Sequence, residues 1–242
     1  MRKTGSLPVL SLVALSLSGL TSSEAHAQAH QCRVPPTVSV PRITPDGPAK
    51  RIPVASYSLS LSWSPEYCRT RENTAGDAMQ CSGRSGRFGF VLHGLWPEGA
   101  NGRWPQWCPT PRAPSPALVR QHLCTMPSAR LMAHEWAKHG SCMVRTPESY
   151  FKVSQILWDS LRLPEMDSLS RQDSLNAGAI RRAFLARNRD WKADQVGVHL
   201  NRRGWLQEIR LCYGKDYMPT RCNPSQWGER DSVRAKVWRG RQ

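Results

Sequence analysis

The feature that most restricts how this 242-residue chain can fold is its set of eight cysteines: Cys32, Cys68, Cys81, Cys108, Cys124, Cys142, Cys212 and Cys222. The count is even, and the chain holds no Cys-x-x-Cys pair of the kind that zinc-binding loops use. Such a set belongs to chains that oxidise outside the cytosol, so four disulfides are expected. The count leaves their connectivity open.

All eight follow a segment that reads as an export signal. Arg2 and Lys3 precede an apolar, Ser/Leu-rich run from Leu7 to Leu20, and Ala25-His26-Ala27 offers a small-x-small cleavage site. Residues 1–27 are therefore expected to be removed, and the product to be secreted or periplasmic. The run is too short and too Ser-rich to span a bilayer, and no later stretch approaches the required length, so no integral membrane segment is expected. Residues 28–55 carry Pro35, Pro36, Pro41, Pro45, Pro48 and Pro53 and read as an extended arm, tethered through Cys32. Residues 56–242 remain as one domain with a basic tail from Arg230 to Gln242, read as solvated and mobile.

The chemistry concentrates in His134-Glu135-Trp136-Ala137-Lys138-His139-Gly140-Ser141-Cys142. On a helix with about 100° per residue, His134, Lys138, Glu135 and His139 fall within roughly 140° of one another. Trp136, Ala137 and Ala133 occupy the other side, giving an apolar back and a titratable front, and Gly140 supplies a stop. A zinc-protease helix needs two histidines four residues apart; here that position is Lys138, which cannot ligate zinc as an ammonium. An ordinary solvated face with a Glu135–His139 pair is the plain alternative.

A second segment decides between them. Residues 88–97 (FGFVLHGLWP) read as a short buried strand ending at His93 and closed by Pro97. Together with HEWAKHGSC it resembles the two active-site segments of the ribonuclease T2 family, HGLWP and HEWxKHGxC. Residues 59–68 (LSLSWSPEYC), 104–108 (WPQWC) and 208–212 (EIRLC) are similar to further family segments, so the resemblance covers about residues 56 to 223. It implies that His139 is a general base and His93 a general acid, with Lys138, Glu135 and His134 binding phosphate and stabilising charge. It also implies disulfides Cys68–Cys81, Cys108–Cys142 and Cys212–Cys222, which leaves Cys32 to Cys124.

These residue types suit RNA, whose 2'-hydroxyl is a built-in nucleophile. One base, one acid and a cation for the phosphorane-like transition state then suffice, with no metal and no cofactor implied. Trp96 is a stacking plate for a base or a core residue, and Glu98 is a base-recognising acceptor or a plain turn carboxylate. Trp104 and Trp107 read as packing residues. With 34 Lys and Arg against 18 Asp and Glu, a net charge of +16 calls for a polyanionic partner, RNA first, acted on by a monomer. A catalytically silent RNA binder and a membrane-active basic protein are the rivals.

Strands are expected at 57–63, 88–93, 196–200 and 205–213, and helices near 115–123, 128–139, 148–162 and 174–188. Tyr57, Leu59, Leu61 and Trp63 alternate with serine, as on a strand with one buried face. Arg181, Arg182, Arg187 and Arg189 read as a solvated basic face. The pattern predicts an α+β fold, a central antiparallel sheet with several helices packed around it, and the same class follows from the resemblance.

Overall fold

The computed structural model describes residues 1, 29–110 and 112–240, so the segment 1–27 expected to be an export signal lies outside the described residues apart from Met1. The described residues form strands β1 (Ala29–His30), β2 (Ser56–Trp63), β3 (Arg87–Phe88), β4 (Phe90–Glu98), β5 (Val196–Leu200) and β6 (Leu206–Tyr213) and, among them, eight α-helices. These are α1 (Ser64–Cys68), α2 (Ala78–Cys81), α3 (Pro116–His122), α4 (Ala129–Lys138), α5 (Pro147–Asp159), α6 (Met166–Ser170), α7 (Ala177–Arg187) and α8 (Pro224–Trp227). The fold is α+β: an antiparallel sheet ordered β4-β2-β6-β5, beside a small β1-β3 ribbon. Among the described residues no helix is long and apolar enough to cross a membrane.

The period-two pattern of β2 sets the core. Leu59 and Leu61 pair with Leu211 and Ile209 on one side and with Leu95 and Leu92 on the other, and all six are buried. They join Tyr150, Phe151 and Trp158 of α5 and Ile180 and Phe184 of α7 in one cluster, each burial being worth about 1.5–3 kcal/mol. The serine face was expected to be open, yet Ser58 and Ser60 are fully buried, because this face is where the site is built.

Helix starts follow their caps. The side chains of Ser115, Ser128, Thr146, Asn176 and Asn223 each accept a hydrogen bond from a first-turn N–H of α3, α4, α5, α7 and α8. Gly140 does follow the end of α4, but without the left-handed turn of a glycine stop. A Cβ there would lie 2.7 Å from the rings of Trp136 and Tyr150, so close packing is what demands glycine.

Three expectations are corrected. Strand β4 does not end at His93 but runs through Pro97 to Glu98; it is a sheet edge, where a missing N–H is tolerated. Arg181 is not solvated: at 1% exposure it donates to the carbonyls of Val196, Trp227 and Glu229 and pairs with Asp231. The tail is not free either, since Ala235 and Val237 are buried and Lys236 bonds along Gly204 and Leu206. The arm is extended and tethered through Cys32, and it packs Val34, Val38, Val40 and Val54 against the core.

Disulfides join Cys32 to Cys124, Cys68 to Cys81, Cys108 to Cys142 and Cys212 to Cys222. The third closes a loop that contains all of α4.

Candidate active site

The polar face of the sheet supplies one wall. Ser62 lies opposite Glu208 and Ser60 opposite Arg210, so small side chains of β2 leave room for the charged pair of β6. On the other flank Ser60 pairs with Gly94 and Leu61 with Leu92, which leaves His93 as the extra residue of a β-bulge. Bulges re-aim side chains beside active sites. Here Nδ1 of His93 donates to Glu208 Oε1 at 2.8 Å, with Ser62 Oγ at 3.3 Å, while Nε2 lies 3.7 Å from Glu135 Oε1. Glu208 also accepts from Arg210 Nε at 2.8 Å. The acidic partner thus fixes the ring and leaves Nε2 for proton transfer.

Helix α4 supplies the opposite wall. His134, Glu135, Lys138 and His139 all line one cleft of about 450 Å³ with His93. They do not share one exposed face, however: Glu135 is 2% exposed and lies beneath the cleft, accepting from Trp96 Nε1 at 2.7 Å. That approach requires Gly94, where a Cβ would meet Glu135 Cδ at 2.9 Å and Trp96 Nε1 at 2.8 Å. His139 is the C-cap residue of α4, buried, its Nδ1 without a hydrogen-bond partner among the described residues. Lys138 Nζ is held 2.8 Å from Asp46 Oδ2, and Trp107 Nε1 donates to the other oxygen of Asp46 at 3.0 Å.

The two histidines are tuned in opposite directions. Burial opposes the His93 imidazolium, but the Glu208 hydrogen bond and the charges of Glu135 and Glu208 outweigh it, so its pKa rises above the ordinary value. Burial, followed by the charges of Lys138, His134 and His93, lowers His139 to about 3. Burial and Lys138 lower His134 as well. Burial raises Glu135 to about 7, although His93 and the Trp96 N–H pull the other way. Glu208 is buried too, yet the His93 hydrogen bond and the nearby cationic charge hold it far below the usual carboxylate range.

Trp96 stands between the histidines, with ring centroids 5.1 Å from His93 and 5.6 Å from His139, and Arg210 lies over its ring at 4.9 Å. It is half-buried in the cleft rather than in the core. Glu98 also lines the cleft, at the end of β4 rather than on an exposed turn, and burial raises its pKa. Trp104, read from sequence as packing, is 43% exposed and lines the cleft; Trp107 is buried as expected. Sequence reasoning missed Ser62, Glu208, Arg210 and Asp46. Two charges at i and i+2 in the apolar strand 206–213 were the available signal for Glu208 and Arg210; nothing local marks Asp46.

Residues 54–222 match the family model described as the ribonuclease T2 family. The chain belongs to the ribonuclease T2 family. It is similar to a protein named a probable ribonuclease from Haemophilus influenzae, at 32% identity over 193 residues. That alignment covers 73% of this chain and spans 64% of the relative's length. It is also 31% identical over 167 residues to a ribonuclease of Aeromonas hydrophila, covering 66% and 72% of the two chains. Trichomaglin, described as an S-like ribonuclease, shares the fold with a TM-score of 0.60 at 19% identity, over 77% of this chain and 98% of its own.

Proposed function

We propose that this T2-family ribonuclease is an exported, metal-independent endoribonuclease that cleaves single-stranded RNA by transesterification through a 2',3'-cyclic phosphate. The observation that carries the reading is the opposite tuning of His93 and His139 across one cleft. His139, neutral, takes the 2'-hydroxyl proton; the 2'-oxygen bonds to phosphorus as the bond to the 5'-oxygen breaks. His93, protonated, gives that oxygen its proton. Lys138 and His134 meet the phosphate charge, and Glu135, whose pKa burial raises to about 7, lies beneath it. The arriving phosphate itself stabilises a cation at His139 and so strengthens the base. Trp96 offers a stacking surface for a base, and Glu98 an acceptor for its polar edge.

Hydrolysis of the cyclic ester then reverses the two histidine roles. All the groups invoked come from one chain, so a monomer suffices. Four disulfides suit export to an oxidising compartment, and the signal-like N-terminus agrees with it.

RNA digestion in excess EDTA with analysis of fragment ends tests this. Cleavage should persist, leave cyclic phosphate or 3'-phosphate, and spare a DNA strand of the same sequence. Activity lost to the chelator and restored by a divalent ion would overturn it.

A further inference from the structure

The cleft does not end at His93. This residue also borders a second cavity of about 390 Å³, lined by Arg69, Arg71 and Arg203 among others. Arg203 in turn borders a third, of about 730 Å³, whose walls are Trp205 and residues 234–239. His93 thus lies between the first cavity and the second, and Arg203 between the second and the third.

The third cavity is strongly cationic: Arg203, Arg234, Lys236 and Arg239 line it against Asp173. All four basic side chains are exposed. Some are lightly tethered, since Arg234 Nη2 donates to the Asp173 carbonyl at 3.2 Å and Arg239 lies 3.7 Å from Asp167. The floor is aromatic. Arg69 lies 4.8 Å from the Trp205 ring and 4.5 Å from the Trp238 ring, and Lys236 lies 4.8 Å from the Trp205 ring. Cations held over ring faces keep their charge at a fixed place. The backbone beneath them is pinned, because Trp63 Nε1 donates to the Trp238 carbonyl at 2.7 Å and Ala235 and Val237 are buried. Residues 234–239, which form one side of this groove, lie beyond the 54–222 match, while Asp173, Arg203 and Trp205 on its other side lie within it.

We propose that this groove holds the RNA strand on the leaving-group side of the scissile phosphate, through its phosphates. The proposal rests on the endoribonuclease reading, in which His93 protonates the departing 5'-oxygen. Nucleotides beyond that oxygen leave the first cleft past His93, pass Arg69 and Arg203, and reach Arg234, Lys236 and Arg239. Binding there favours long substrates over short ones without touching the chemistry.

Oligonucleotides with a single ribose, cleavable only at the phosphate after it, test the groove. One carries one deoxynucleotide on the 3' side, another six, and a third carries six extra on the 5' side instead. The 3' extension should raise kcat/KM about 10-fold or more, and the 5' extension much less. Combined Arg234→Gln, Lys236→Gln and Arg239→Gln should abolish the gain, leave the shortest substrate unchanged, and flatten the log–log salt slope by about 2, at about 0.7 per single-strand phosphate contact. Arg234→Lys with Arg239→Lys keeps the charges and should keep the gain, which separates lost contact from damaged fold. A gain that survives the Gln variant, or one equal from the 5' side, overturns the proposal. So does loss of binding to anionic vesicles in that variant with oligonucleotides unaffected. If the wild type cuts none of these substrates, the endoribonuclease reading fails instead. The groove is then decided by anisotropy of the labelled 3'-extended strand, which the Gln variant should bind more weakly.

Discussion

Replacing Glu208 by Gln keeps the shape of the His93 partner and removes its charge. Nδ1 of His93 loses a charge-assisted hydrogen bond of 2.8 Å, an interaction worth roughly 1.5–3 kcal/mol. At about 1.36 kcal/mol per pKa unit this is about 1–2 units. One-third exposure of the His93 side chain screens part of the charge and favours the lower end. Arg210, left 2.8 Å from an amide instead of a carboxylate, pushes in the same direction. The His93 pKa should therefore fall by about 1 unit. With His93 as the proposed acid, the alkaline limb of kcat/KM against pH should move down by that amount. The acidic limb, set by His139, should stay in place. A dinucleoside phosphate substrate gives the profile, with thermal melts to show that the variant is folded. A folded Glu208→Gln enzyme with an unmoved alkaline limb would refute the assignment of His93 as the acid held by Glu208.

Gly94→Ala should leave the fold recognisable but lower kcat by at least about 10-fold, since the added methyl meets Glu135 and Trp96 and displacements near 1 Å can cost about 10²-fold; steady-state kinetics at wild-type levels would contradict it. His139→Gln should change the pH dependence of stability. The folded pKa near 3 lies below the ordinary 6.5, so the unfolded chain binds the extra proton between those values and wild-type stability is lost as pH falls through that window. Urea denaturation at stepped pH should show the variant gaining on wild type by up to about 1.4 kcal/mol per unit below 6.5; a pH-independent gap would contradict a buried, neutral His139.

The elements legible in the sequence are those whose cause is local. Serine alternation in β2 and the Ser128 cap with the apolar back of α4 declare themselves within a few residues. So does the candidate cluster of His134, Glu135, Lys138 and His139, because four titratable groups on one short helix need a purpose. Glu208 and Asp46 were not legible for the opposite reason. Each acquires its role from a partner 115 or 92 residues away: the Glu208–Arg210 pair in an apolar strand marks a charged site without naming His93, and Asp46 in the arm carries no mark at all. Arg181 misled because helix charges are usually solvated; three carbonyls, one from β5 and two from the end of α8 and the turn after it, reverse that rule. The tail misled in the same way, its basic residues hiding the alternate Ala235 and Val237 that bury it.

The bulge at His93 separates foldability from reactivity. Leu92 and Leu95 keep their places opposite Leu61 and Leu59 while two residues, His93 and Gly94, fill the space of one. Removing Gly94 by a single codon deletion would restore an unbroken ladder with every apolar residue still facing the core. The same deletion would take away the gap through which Glu135 approaches Trp96 and would turn the His93 ring off its present line. On the proposed reading, a lineage carrying this scaffold is therefore one in-frame deletion from a basic, catalytically idle protein that keeps the cationic groove of Arg203, Arg234, Lys236 and Arg239.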